Sequence, residues 1–432
     1  MVKADDDTAS IHMETPAASS SRISFFTSSS VIFAGSLVVN VLNYVFTLVM
    51  SRLLAIEDFG EVAALLSLFL IISVPGTALA MLMAREAASG AVHGLGAVER
   101  LFIILGAHTV KAALALLIAF LIFVPLLSEY LHIPIAPIYV FSLLVPLTLL
   151  SSLQSGTLQG LQEFFSLSAQ SILGTLIKLI AAIILVGAGF SVSGVMGALV
   201  LSALATFLYG FWATRIRLVK NTSAISEDAY DSGLLAKLFG SILLTSLLLA
   251  LLSNIDILLA KHYLAPDLAG QYGALSALGK ILIYGVGAFI SVLLPMASAA
   301  HARGHGEEKR LLALSLASVA LASLGAFAVF SLFPHLVVSL LFGARYADIA
   351  GYLGIFSIAM TAIALSTVFI NYFVATRNTS FVYLLGLAIA IEVALISINH
   401  ASLVIITHML VISSAILLVF MVVNFLVAYR RT

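Results

Sequence analysis

Five charged side chains stand inside long apolar runs of this chain: Lys111, Lys178, Asp256, Lys280 and Glu392. A charge in hydrocarbon is costly, so such residues usually face a bundle interior or a wet cavity and carry function. Lys111 has His108 one turn before it on the same helical face, and Lys178 extends a polar stripe begun by Ser171 and Thr175. Neither lysine has an acid of its own in that half of the chain. An ammonium is a mobile point charge that suits phosphate. Lys111 and Lys178, with Lys280 opposite, would therefore make a cationic cavity for an anionic headgroup. The competing reading treats Asp256 and Lys280 as a buried pair holding neighbouring helices together, with Lys111 snorkelling to water. Asp256 has a third candidate role, cation coupling to H⁺ or Na⁺ through a buried carboxylate.

Two further groups complete the chemical inventory. Ser36, Asn40, Asn43 and Thr47 repeat at helical spacing. Such an uncharged stripe serves either as glue between helices or, through Asn40 and Asn43, as part of the substrate-binding set. His301, Arg303 and His305 cluster in one loop, but no carboxylate or cysteine completes a metal site there, so a solvated basic loop is expected. Lys280 is flanked at i−4 and i+4 by Ser276 and Tyr284. No P-loop, dinucleotide fingerprint or nucleophile elbow is present, so neither a cofactor nor catalytic residues are expected.

The elements that must position these groups follow from composition. Hydrophobic residues make up 62% of the chain and charged residues 9%, with net charge zero, whereas soluble domains carry roughly a quarter charged residues. Lipid must cover what charge cannot, and a neutral chain has no bulk field to hold a nucleic acid. A span needs roughly 20 apolar residues. Twelve runs qualify: Val31–Leu53, Gly60–Met83, Leu101–Leu127, Ile138–Leu158, Phe165–Gly187 and Val192–Thr214, then Leu238–Ala260, Gly270–Ala297, Leu311–Phe333, Ile349–Ala375, Phe381–Ser397 and Leu403–Tyr429. The expected organisation is a disordered cytoplasmic tail (1–27), an N-terminal six-helix lobe (28–214), a cytoplasmic linker (215–236) and a C-terminal six-helix lobe (237–432). With both termini cytoplasmic, fourteen of the 20 Lys and Arg fall in inner segments and only Arg52, Lys261 and Arg345 in outer ones. That bias is the positive-inside rule for a multi-pass protein of the cell membrane.

A weak repeat links the halves at an offset of 210 residues. Leu54-Ala55-Ile56-Glu57-Asp58-Phe59-Gly60 recurs as Leu264-Ala265-Pro266-Asp267-Leu268-Ala269-Gly270. Both copies fall in the first outer loop of their half, which makes the repeat parallel, about a pseudo-two-fold axis along the membrane normal. Two such lobes around a central cavity suit alternating access.

Ser51-Arg52-Leu53-Leu54-Ala55-Ile56-Glu57-Asp58-Phe59-Gly60 resembles the SRLLGPEDFG signature of Wzx-type polysaccharide flippases in the multidrug/oligosaccharidyl-lipid/polysaccharide exporter superfamily. Asn254-Ile255-Asp256 with Ala265 to Tyr272, Leu158-Gln159-Gly160-Leu161-Gln162, and Leu341-Phe342-Gly343 with Tyr346 are similar to further family hallmarks, in family order. The resemblance implies an all-α, V-shaped fold of two six-helix lobes that flips polyprenyl-(pyro)phosphate-linked oligosaccharides across the cytoplasmic membrane for surface polysaccharide assembly. It also implies membrane lipids as surroundings and a polysaccharide polymerase or ligase as a possible partner. Ala55 departs from the usual glycine. The alternative is a cation-coupled exporter of small molecules or drugs. Its relatives in the superfamily often carry an acid in the first helix, where this chain has Asn40 and Asn43.

Overall fold

The computed structural model describes residues 16–91, 94–219, 232–283, 307–376 and 378–429, and these residues form helices joined by short turns, with no strand among them. Hydrocarbon offers no water to satisfy a free N–H or C=O, so an apolar chain of this kind folds each run into a helix whose backbone bonds close internally. Ten helical segments are long and apolar enough to cross a membrane. In the first half they are Phe33–Leu53, Ile56–Ala91, Leu95–Leu131, Ile135–Gly160, Phe164–Gly187 and Ser191–Leu218. In the second they are Arg310–Leu332, Ala344–Ala375, Phe381–Ile398 and Leu403–Ala428. Lys237–Leu252 and Ile255–Tyr263 together make one more, bent by 46°; spans are numbered below in the chain order of the twelve expected runs. The expected eighth run is helical over 266–283, and its remainder from 284 lies outside the described residues.

Three spans are broken, each for a visible reason. Helices Ile56–Ile72 and Val74–Ala91 part at Ser73, just before Pro75, and Ile135–Ser142 and Leu144–Gly160 part at Leu143, just before Pro146. Proline has no N–H for the preceding turn and fits only near the start of a helix. The seventh span has no proline at its break. There Ser253 Oγ donates to Leu249 O at 3.0 Å and Asn254 Nδ2 to Ala250 O at 2.9 Å, while Asn254 takes a non-helical backbone (φ −142°, ψ −13°). Side chains that bond the preceding turn compete with the helical ladder and release the next one.

Packing separates two groups of helices. In the first half the fifth span lies against the first and sixth, and the fourth against the second, third and sixth. In the second half the tenth lies against the ninth and twelfth, and the eleventh against the seventh and twelfth. The groups meet where the second span runs along the seventh.

The seam at the end holding Arg52, Lys261 and Arg345, called here the outer end after the loop charges, carries the sequence repeat. A Cβ added to Gly60 would sit 2.7 Å from Gly270 N, and one added to Gly273 would sit 2.9 Å from Ala63 Cβ. Both pairs are related by the 210-residue offset. Equivalent positions touching each other is what a two-fold axis through the contact requires. Glycine at 60 and 270 lets the two backbones cross at that point.

Two boundaries differ from expectation. The first helix begins at Pro16, so Pro16–Thr27 of the expected tail is helical, and residues 1–15 lie outside the described residues. Pro16 is suited to a helix start. The expected linker is likewise invaded from both sides, by a sixth helix reaching Val219 and a seventh starting at Ser232. Arg217 holds the first of these extensions through a 2.9 Å ion pair to Glu163.

Candidate functional site

The N-terminal lobe brings three of the candidate residues together. Gly35 on the first helix faces Ser168 on the fifth, where an added Cβ would sit 2.7 Å from Ser168 Oγ. On the other side of the fifth helix, Ser202 Oγ donates to Gly174 O at 2.7 Å. Small residues thus hold the fifth helix close to the first and the sixth. That packing delivers the half-buried Lys178 to the first helix, where its Nζ donates to Asn43 Oδ1 and lies 4.5 Å from the ring centroid of Phe46. Phe46 is buried, so the ammonium is held over an aromatic face in a desolvated setting, where such contacts are strongest. No carboxylate pairs with Lys178 among the described residues. One and two turns away a pocket of about 180 Å³ opens between the same two helices, lined by Ser36, Asn40, Ser168 and Ser171 with Gly35, Val39 and Leu167. The polar stripe of the first helix therefore faces the polar stripe of the fifth. Chemically this is one cation beside a row of hydroxyl and amide groups.

Lys111 and His108 are elsewhere, which corrects their assignment to a shared cavity with Lys178. The third helix packs on the fourth and on the inner half of the second, not on the fifth. Lys111 is exposed on a face it shares with Ile104, Leu114, Ile118 and Ile122, all exposed, while the buried side of the helix carries Thr109 and Ala113. His108 Nδ1 bonds the Ile104 carbonyl of its own helix at 2.8 Å. A row of exposed Ile and Leu suits contact with lipid better than the wall of a polar cavity.

Lys280 also departs from the expected place opposite Lys178. It donates to Asn254 Oδ1 at 3.0 Å, beside the bend of the seventh span, and interacts electrostatically with Asp256. Asp256 and Glu392 are 3% and 2% exposed. Asp256 accepts from Tyr272 Oη at 2.9 Å, and Glu392 Oε1 has no partner among the described residues. The amide of Asn254 thus takes the ammonium that a direct Asp256–Lys280 salt bridge would have used. The result is a buried polar cluster wholly within the C-terminal lobe. Tyr284 and the His301, Arg303, His305 loop lie outside the described residues.

The outer seam is the functional feature that charge reading passed over. Arg345 Nη2 donates to the carbonyls of Ser51 and Arg52 at 2.9 Å each, and Arg52 Nη2 donates to Leu340 O at 2.7 Å. Ser51 and Arg52 end the first helix, whose free carbonyls carry its negative dipole end, so a guanidinium there is doubly favoured. Beside it Phe59, Phe342 and Tyr346 pack edge-to-face with centroids 5.6 to 6.1 Å apart. Ser191 Oγ donates to Asp58 Oδ2 at 2.5 Å, Lys261 Nζ lies 4.0 Å from Glu61, and the His262 ring stacks on Tyr130 at 3.9 Å. The Phe342-Gly343 and Tyr346 motif thus pairs with Phe59 of the first motif. Only their shared resemblance to one family linked them in the sequence.

Residues 49–351 match the model of a family described as polysaccharide biosynthesis proteins. The chain belongs to that family. No curated protein matches it. Solved structures do. The family member superposes on an inward-facing multidrug resistance MATE transporter of the MOP superfamily with TM-score 0.76 at 14% identity, covering 91% of this chain and 94% of that one. For the lipid II flippase MurJ in an inward closed conformation the TM-score is 0.68 at 12% identity, with 91% and 87% covered. A MOP superfamily transporter from Pyrococcus furiosus, described as having a binding pocket of reverse polarity, gives 0.65 at 14% identity, with 93% and 94% covered. These likenesses establish the fold: an all-helical membrane bundle of the MOP type.

Proposed function

We propose that this polysaccharide biosynthesis family member is a flippase that carries polyprenyl-(pyro)phosphate-linked oligosaccharide units across the cytoplasmic membrane by alternating access. The observation that carries the reading is Lys178, an ammonium inside the N-terminal lobe with an amide and an aromatic ring as neighbours and no acid. A phosphate arriving from the pocket displaces the Asn43 carboxamide and takes a charge-assisted bond in its place. Asn40, Ser36, Ser168 and Ser171 offer donors and acceptors to glycan or phosphate oxygens. The prenyl chain stays in lipid beside exposed Phe33, Leu37 and Val41 of the first helix. Family membership supports the polysaccharide assignment, and both termini are taken as cytoplasmic. The partners expected on this reading are membrane lipids and a polysaccharide polymerase or ligase.

A second reading, a cation-coupled exporter of small molecules, is favoured by one observation: the neighbouring buried carboxylates Asp256 and Glu392. Asp256 serves ion coupling equally well in a flippase, so the substrate decides between the two.

Liposomes loaded with purified protein and a fluorescent lipid-linked oligosaccharide provide the test. Lys178→Ala is expected to slow translocation by about ten- to a hundredfold, the loss of a bond to a charged group worth about 1.5–3 kcal/mol. Unchanged translocation in Lys178→Ala, or transport of cationic dyes in place of the lipid-linked glycan, overturns the proposal.

A further inference from the structure

The geometry points to the Lys111 face of the third helix as a docking surface for a transmembrane helix of a different protein, one that carries a carboxylate at mid-depth. Of the five charges inside apolar runs, Lys178 and Lys280 are half-buried on amide partners and Asp256 and Glu392 are buried. Lys111 alone is exposed, and it has no partner among the described residues.

Water is out of its reach. From Arg100, the nearest charge along the helix, to Lys111 is eleven positions, about 16 Å at 1.5 Å per residue. Helical side chains lean toward the N-terminus, which is the right direction, but a four-carbon stem spans well under that distance. The phosphates of membrane lipids sit at the interface and are equally distant. The remaining source of negative charge at this depth is another helix.

The surface around Lys111 accepts one. Ala107, Ala115 and Ala119 occupy the same row at four-residue spacing and are exposed, as is Ala112 beside them. Small side chains let helix backbones approach closely in lipid. His108 has Nδ1 tied to its own backbone, which leaves Nε2 as a second polar atom on the same face. A second copy of this chain does not supply the acid, because Asp256 and Glu392 face inward in their own lobe. Charge complementarity therefore selects a heterologous helix with Asp or Glu near its centre and small residues around it.

The test uses a property of the sequence: the chain has no cysteine. A donor fluorophore on Ile103→Cys, exposed to one side of the face, reports on protein reconstituted in phosphatidylcholine vesicles. The probes are an acceptor-labelled Leu/Ala transmembrane peptide with a central Asp and the same peptide with Leu there. Energy transfer is expected at a tenfold or more lower peptide-to-lipid ratio for the Asp peptide. That preference should vanish in Lys111→Leu, survive in Lys111→Arg, and be lost in Ala115→Phe, where the lysine is intact but close approach is blocked. Equal binding of the two peptides, or a preference that persists in Lys111→Leu, overturns the proposal. So does saturating transfer between two labelled copies of the protein without peptide, which would assign the face to self-association. Loss of Asp-peptide binding on adding phosphatidylglycerol would assign it to lipid phosphate and overturn it likewise.

Discussion

Replacing Gly270 by alanine should pry the outer seam open. A Cβ at that position would lie 2.6 Å from the carbonyl carbon of Ile56, closer still to its oxygen, and 2.8 Å from Ile56 Cγ2. Real Cβ atoms do not approach closer than 3.0 Å, so the seam must part by more than 0.4 Å, the difference of those two values. Ile56 lies in the first turn of its helix, so its carbonyl cannot swing aside without unwinding that turn. Overpacking of this kind costs about 1–3 kcal/mol. The cost falls on the closed outer end and not on a conformation in which the lobes have separated there. The closed-to-open ratio should then fall about five- to 150-fold. Spin labels on Leu53→Cys and Leu340→Cys, both exposed at the rim, measure the separation by pulsed electron paramagnetic resonance. A growing long-distance population is expected. Gly273→Ala, whose one close approach is to the Ala63 methyl at 2.9 Å, should give a smaller shift. Gly325→Ala, with nothing within 4 Å, should give none. If Gly270→Ala and Gly325→Ala give the same distance distribution, the reasoning fails.

Three other outcomes follow from named contacts. Arg345→Ala removes two bonds to the end of the first helix and should shift the same spin-label distribution toward open by at least about tenfold, since even one bond to a charged group is worth about 1.5 kcal/mol; an unshifted distribution would show the latch is idle. Tyr272→Phe takes a donor from buried Asp256 and should destabilise the protein by about 1–3 kcal/mol in denaturant unfolding in detergent, whereas no loss of stability would mean the carboxylate finds another partner. Glu392→Gln should leave stability unchanged, because Oε1 makes no bond that the amide, a neutral group of the same shape, would lose; a clear loss in the same unfolding assay would argue that the carboxylate has a hidden partner.

Much of the bundle was legible because each helix must be long and apolar in its own right, a local property. The breaks were less so. Pro75 and Pro146 mark two of them in hindsight, but the bend at Asn254 depends on two side chains choosing the preceding turn over water, which hydropathy does not record. Helix ends ran past their apolar runs where polar residues found partners, as Arg217 did with Glu163. At the site, Lys111 and Lys178 looked alike in sequence because each is a lysine in an apolar run. What separated them was company. Lys178 has Ser171 and Thr175 in its own row and a matching polar row on the first helix, whereas Lys111 has only His108 among Ile104, Leu114 and Ile118. Lys280 was misplaced for a different reason: its partner Asn254 is 26 residues away in sequence, across a turn whose geometry no spacing rule predicts.

Arg345 grips main-chain oxygens and asks nothing of the side chains at positions 51 and 52. Ser51 is buried, so another small residue could replace it without loosening that hold, while a side chain at 345 that cannot donate releases it. The Arg345 half of the fastening is thus indifferent to side-chain chemistry on the first helix and dependent on it in the segment entering the tenth, whereas the Arg52–Leu340 bond has the opposite dependence. A designer wishing to loosen the outer end could therefore alter that arginine and leave the first helix untouched.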